Sequence, residues 1–126
     1  MIDHQHVTQW LEAYVAAWKS YDPQAIAALF SADAVYRYNP YDEGVHGRDA
    51  IVASWLEGRD APNTYAADYR PLALDGNTAV AHGRSYYYEA DGKTLKRQFD
   101  NIFVLRFDDQ GRCADFCEWF MEPRKA

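Results

Sequence analysis

The sequence is poor in the features that mark several large protein classes. It holds two cysteines, seven glycines and five prolines in 126 residues. Cys113 and Cys117 lie in a segment that reads as a strand, hence about 13 Å apart at roughly 3.3 Å per residue. A disulfide needs Cα atoms within about 7 Å, so the two cannot bridge, and free thiols fit a reducing, cytoplasmic location. Positive charge is also short: 13 Lys+Arg against 19 Asp+Glu give a formal net charge of -6. That is the wrong sign for nucleic acid or an anionic membrane, and neither is expected as a partner. No apolar run approaches the roughly 20 residues that cross a bilayer, and the opening MIDHQHVTQW lacks the basic-then-apolar order of a signal peptide. Phosphate-loop glycines, a dinucleotide fingerprint and a Ser/His/Asp set are missing too. His4, His6 and His46 make no metal set, because a helical spacing of two points His4 and His6 to different sides. Neither metal nor cofactor is expected.

What the chain has in quantity is aromatic side chains, 16% of the total, within a 48% hydrophobic composition. Its length suits one domain, residues 1–126, able to bury about two-thirds of its unfolded surface. Val7, Trp10, Leu11, Tyr14 and Trp18 form one stripe of an amphipathic helix from about Asp3 to Ser20. Asp22 caps a second helix with Pro23 in its first turn and Ile26, Leu29 and Phe30 as its buried stripe. Ala34 to Asn39 reads as a strand stopped by Pro40, residues 40–47 as a loop, and Arg48 to Arg59 as a third helix. After Pro62, turns at Asp75-Gly76-Asn77, Asp91-Gly92 and Asp108-Asp109-Gln110-Gly111 separate four strands of an antiparallel meander. Helices followed by a sheet predict an α+β fold in which three helices cover one face of the sheet.

Counting outward from the turns predicts the register. The second hairpin puts Tyr88 opposite Leu95, Arg84 opposite Phe99, His82 opposite Asn101 and Val80 opposite Phe103. The third puts Phe103 opposite Phe116, Asn101 opposite Glu118 and Phe99 opposite Phe120. One face then carries a polar row, His82/Asn101/Glu118, between aromatic rows, with Arg84 or a water to bridge towards Glu118. Burial and partner charges should perturb protonation there. The opposite face carries Ala79, Ala81, Gly83 and Ser85 beside Ile102, Val104, Cys117, Trp119 and Met121, a packing surface for a second subunit.

The run LEAYVAAWKSYDPQAIAALFSADAVYRYNP, followed by GVHGRDAIVASW and a meander ending GRCADFCEWF, resembles the nuclear-transport-factor-2-like superfamily. It is most similar to the SnoaL-like and ketosteroid-isomerase-like members. The resemblance implies a cone of three helices on a curved antiparallel sheet, an internal pocket and dimerisation through the sheet. Tyr14 matches the first-helix tyrosine with which ketosteroid isomerases hydrogen-bond the substrate oxygen. Their basic aspartate before a proline is replaced by Asn39 before Pro40, and their protonated acid corresponds to Asn101 or Phe103. Against the limonene-epoxide-hydrolase pattern, Tyr36, Asn39, Arg84 and Glu118 match, whereas Tyr86 replaces the middle acid.

The expected function is binding of a small hydrophobic or aromatic molecule carrying one polar oxygen. If the chain is an enzyme, Glu118 or His82 serves as base and Tyr14 stabilises a developing oxyanion, without a cofactor. Asn101, Arg84, Tyr36, Tyr38, Trp18, Trp55, Phe99, Phe103, Phe116 and Phe120 are the expected ligand contacts. Isomerisation, cyclisation, dehydration and epoxide hydration remain open. The alternative is a non-catalytic binding or dimerisation module in which the polar row is a satisfied network.

Overall fold

A computed structural model describes residues 2–124 and shows three helices packed on one six-stranded sheet. Helix α1 spans His4–Ser20; the Asp3 carboxylate caps it by accepting from the His6 amide at 2.8 Å. Val7, Trp10, Leu11, Tyr14 and Ala17 form its buried stripe. Tyr21 ends it in a left-handed conformation, φ 50°, with its amide bonded back to the Ala17 carbonyl. Asp22 caps α2, Pro23–Ala27, by accepting from Gln24 N. Phe30, expected on this second helix, instead opens strand β1, Phe30–Arg37. The ladder decides this: the Cys113 amide bonds the Leu29 carbonyl and Phe30 pairs with Cys113. Inside the expected loop, Val45–His46 form a short strand β2 against Val35 and Tyr36, before α3 at Arg48–Glu57.

The remaining strands are β3 (Tyr65–Asp75), β4 (Thr78–Tyr88), β5 (Leu95–Phe107) and β6 (Cys113–Met121). The sheet order β2-β1-β6-β5-β4-β3 leaves the sheet open. It is mixed rather than wholly antiparallel, because β1 runs parallel to β6. The three turns stand where the glycines and aspartates place them, but the register differs from symmetric counting. Tyr88 does oppose Leu95. A bulge beyond Tyr87/Tyr88 then takes up one residue, so Arg84 opposes Asp100, His82 opposes Ile102 and Gly83 opposes Asn101. In the last hairpin Phe107 pairs with Cys113, not Arg112, and Phe103 comes opposite Glu118 and Asn101 opposite Phe120.

A slip of one residue exchanges the faces of a strand, whereas a slip of two does not. The inner face, towards the helices, therefore carries Ala79, Ala81, Gly83 and Ser85, all buried, beside Asn101, Phe103, Leu105 and Phe116. His82 and Arg84 stand on the outer face with Ile102, Val104, Cys117, Trp119 and Met121. Small residues on β4 make room for large neighbours. At Gly83 a Cβ would lie 2.0 Å from the Asp68 carbonyl and 2.6 Å from Tyr69 Cα, so only glycine lets β3 approach this closely.

Candidate functional site

Between the helices and the inner face lies a cavity of about 520 Å³. Its floor is built by stacking. Phe116, fully buried, lies parallel to Tyr36 (centroids 4.2 Å apart, 2° between planes) and stacks on Tyr14 (5.6 Å, 14°). Held this way, the two phenols from α1 and β1 meet, Oη to Oη, at 2.9 Å. Phe103 supports the same floor through Tyr69 and Tyr14. Trp55 of α3 meets Tyr14 edge-on and completes one wall.

Glu118 projects into this space from β6. One residue from each of three adjacent strands forms a chain behind it: Ser85 Oγ donates to Asn101 Oδ1 at 2.9 Å, and Asn101 Nδ2 donates to Glu118 Oε2 at 2.5 Å. Glu118 Oε1 has no hydrogen-bond partner among the described residues. Burial pushes the Glu118 carboxyl up to about 7, opposed by the Asn101 donor. Tyr14 and Tyr36 are raised well above the usual phenol range, by burial first; the Glu118 charge adds to both, and in Tyr14 the facing Tyr36 adds more. Tyr69 of β3 is raised by burial and by Glu118. These phenols stay protonated at any ordinary pH and act as hydrogen-bond donors.

The rim is formed by the end of α1 and the segment after α3. Asp60 Oδ2 accepts from Trp18 Nε1 at 3.1 Å and from Tyr21 Oη at 3.3 Å, while the Asp60 amide donates back to Tyr21 Oη at 2.9 Å. This clasp secures the left-handed Tyr21. Glu57 and Gly58, both exposed, extend the rim, and Tyr87 of β4 faces Trp18. On another side the Tyr38 hydroxyl pairs with Ser54 Oγ at 2.8 Å. Among the described residues, the one buried side-chain polar atom without a partner is Nε1 of Trp55, a residue of this wall.

Of the expected site residues, Tyr14, Tyr36, Tyr38, Trp18, Trp55 and Glu118 line the cavity, with Asn101 bonded behind Glu118. Phe103 and Phe116 lie beneath the lining at 1% and 0% exposure and support it rather than line it. Phe99 sits between Tyr87 and Phe120, and Phe120 is half exposed. His82 and Arg84 are corrections: on the outer face both bond Asp100, at 2.7 and 3.4 Å, because the bulge turns them away from the cavity. Asn39 bonds Asp42 and the Tyr41 amide in its own turn and does not line the cavity. Sequence reasoning missed Tyr21, Asp60, Tyr69, Ser85 and Tyr87. For the β4 pair the signal was present: Ser85 and Tyr87 share parity with Ala79, Ala81 and Gly83, a row too small and apolar for a solvent-facing strand beside Arg84.

Comparison with known proteins follows the same lines. The family model described as SnoaL-like domain matches residues 11–116. No curated protein sequence matches the chain. Among solved structures, an NTF-2 like protein of unknown function from Burkholderia xenovorans LB400 superposes with TM-score 0.72 at 18% identity, over 97% of this chain and 88% of that one. An LEH-like epoxide hydrolase from M. tuberculosis gives 0.69 at 18% identity, over 94% and 84%. A ketosteroid isomerase candidate from Kribbella flavida DSM 17836 gives 0.71 at 18% identity, over 98% and 84%. At such identity the likeness is one of fold.

Proposed function

The chain belongs to the SnoaL-like domain family, and on that premise we propose that it binds a small, largely apolar or aromatic molecule in the cavity and transforms it by cofactor-free proton transfer. The observation that carries this reading is the state of Glu118. Its carboxyl is buried in an aromatic cavity and poised near 7, with one oxygen fixed by Asn101 and the other unbonded among the described residues. A base titrating near the working pH is matched to abstracting and returning a proton.

Glu118 Oε1 takes a proton from a carbon beside a carbonyl, and the bonding pair moves onto the oxygen. The Tyr14–Tyr36 pair meets that charge: it holds two hydroxyl protons and uses one between its members, leaving one for the oxyanion. Return of the proton to another carbon completes an isomerisation. With an epoxide as guest, Glu118 Oε1 instead takes a proton from water, and the water oxygen bonds to a ring carbon as the ring C–O bond breaks. The alkoxide so formed is met by the tyrosine pair and receives the proton to give a diol. The epoxide hydrolase and isomerase-type neighbours have the same fold, which accommodates both classes. The purely binding module is not favoured, because the cavity reaches exposed residues at its rim and Glu118 is left half-satisfied.

The test is a thermal-shift screen of hydrophobic carbonyl compounds and epoxides against the wild type and Glu118→Gln, with hits followed for turnover by mass spectrometry. Compounds that stabilise both proteins and are converted only by the wild type support the proposal. Hits converted by neither reduce it to binding, and a screen without hits removes it. We further propose that a second copy of the chain covers the outer face, where Trp119 and Met121 are 43% and 74% exposed beside half-buried Ile102 and Val104.

A further inference from the structure

We propose that the molecule held in this cavity is a cation: a protonated amine or quaternary ammonium borne on an aromatic or apolar body. The inference deepens the reading of the cavity as a small-molecule site and rests on it.

The composition of the wall carries the argument. Fourteen residues line the cavity; eight are Tyr or Trp and three are carboxylates, and none is Lys, Arg or His. Ring faces present the negative side of their quadrupole, and carboxylates add full negative charge. Glu118 lies at depth; Glu57 and Asp60 lie at the rim. An anionic ligand would meet three carboxylates and no cationic side chain among the lining residues. A neutral ligand would make no use of the charge on Glu57 or of the free Oδ1 of Asp60.

A cation meets complementary groups at every depth. At the rim it finds Asp60, whose Oδ2 is engaged by Trp18 and Tyr21 while Oδ1 has no partner among the described residues. A ring of this rim already holds a cation: the Arg59 guanidinium lies 5.6 Å from the Tyr21 ring centroid. Further in, the rings of Trp18, Tyr87 and Trp55 offer faces and edges that exclude water, which strengthens attraction to a charge. The excess of acidic residues over the whole chain draws cations towards the opening.

The test compares three probes built on one benzyl body by calorimetry at low salt: benzyltrimethylammonium, its neutral isostere neopentylbenzene, and phenylacetate as the anion. The expected result is that the cation binds at least about tenfold more tightly than the neutral probe and that the anion is excluded. Glu57→Gln, at an exposed position, and Asp60→Asn should each reduce that preference by about threefold or more. Should Asp60→Asn loosen the Tyr21 clasp, Glu57→Gln alone still decides. A neutral probe that binds as tightly as the cation overturns the inference while leaving the cavity a binding site. Failure of all three to bind folded protein overturns both.

Discussion

Asn101 reaches Glu118 on the diagonal. Its backbone stands opposite Phe120, and its side-chain amide crosses two positions back along β6 to Glu118 Oε2 at 2.5 Å. Diagonal neighbours on one sheet face lie about 7–8 Å apart at Cα, within reach of an Asn and a Glu together. The offset leaves Phe103, directly opposite Glu118, to pack under Tyr69 and Tyr14.

Glu118→Gln should stabilise the protein in a pH-dependent way. Burial raises the carboxyl from its ordinary 4.5 to about 7, so the folded state prefers the neutral acid. Wild-type stability is complete below about 4.5 and falls as pH rises towards 7, beyond which the loss is constant. The variant does not titrate there. Its advantage in thermal melting should be near zero at pH 4, grow between 4.5 and 7, and reach up to about 3 kcal/mol at pH 8. A difference flat with pH would contradict the assignment.

Asn101→Leu should move the Glu118 titration upward from about 7, because the Asn101 hydrogen bond is what opposes burial. Carbon-13 NMR of the glutamate carboxyls reads this directly. Leaving Ser85 Oγ without its acceptor should also cost about 1–3 kcal/mol. Ser85→Ala, which only frees the Asn101 carbonyl, should give a smaller shift of the same sign.

Gly83→Ala should be among the most damaging single-methyl changes available. The added carbon would meet two backbone atoms, 2.0 and 2.6 Å away, that cannot rotate aside. A loss of about 3 kcal/mol or more in urea denaturation is expected. Gly76→Ala meets no atom within 4 Å, and strain at its φ of 61° alone should cost about 1 kcal/mol.

His82→Ala and Arg84→Ala should leave binding at the cavity unchanged. Both side chains bond Asp100 on the far side of the sheet, and Arg84 is exposed. Each change should cost no more than about 1 kcal/mol in stability. A large loss of cavity affinity in either variant would restore the register read from symmetric hairpins.

Trp119→Glu should convert a dimer into a monomer in analytical ultracentrifugation without lowering cavity affinity, since the side chain stands on the outer face. A wild type that sediments as a monomer at micromolar concentration removes the dimer proposal.

Much of this molecule is legible in its sequence, and the limits have physical causes. The helical stripe of Val7, Trp10, Leu11 and Tyr14 and the cap Asp22 depend on local chemistry and stand as read. The turns stand too. Register depends on a bulge that adds one residue without a sequence marker, and that residue sent His82 and Arg84 to the opposite face. Glu118 kept its face because its hairpin is displaced by two, so its link to Asn101 survives with altered geometry. Strand β2, two residues long, has too little pattern to detect. Asp60 and Tyr21 are 39 positions apart and meet only through packing.

The Tyr14–Tyr36 contact has one more property. Either oxygen can give the proton and either can receive it. Reversing that direction changes whether the free end of the pair offers a hydrogen or a lone pair, and it moves two light atoms and nothing else. The cavity floor therefore has no fixed polarity, and a donor or an acceptor placed against it can be met without any shift of the surrounding rings.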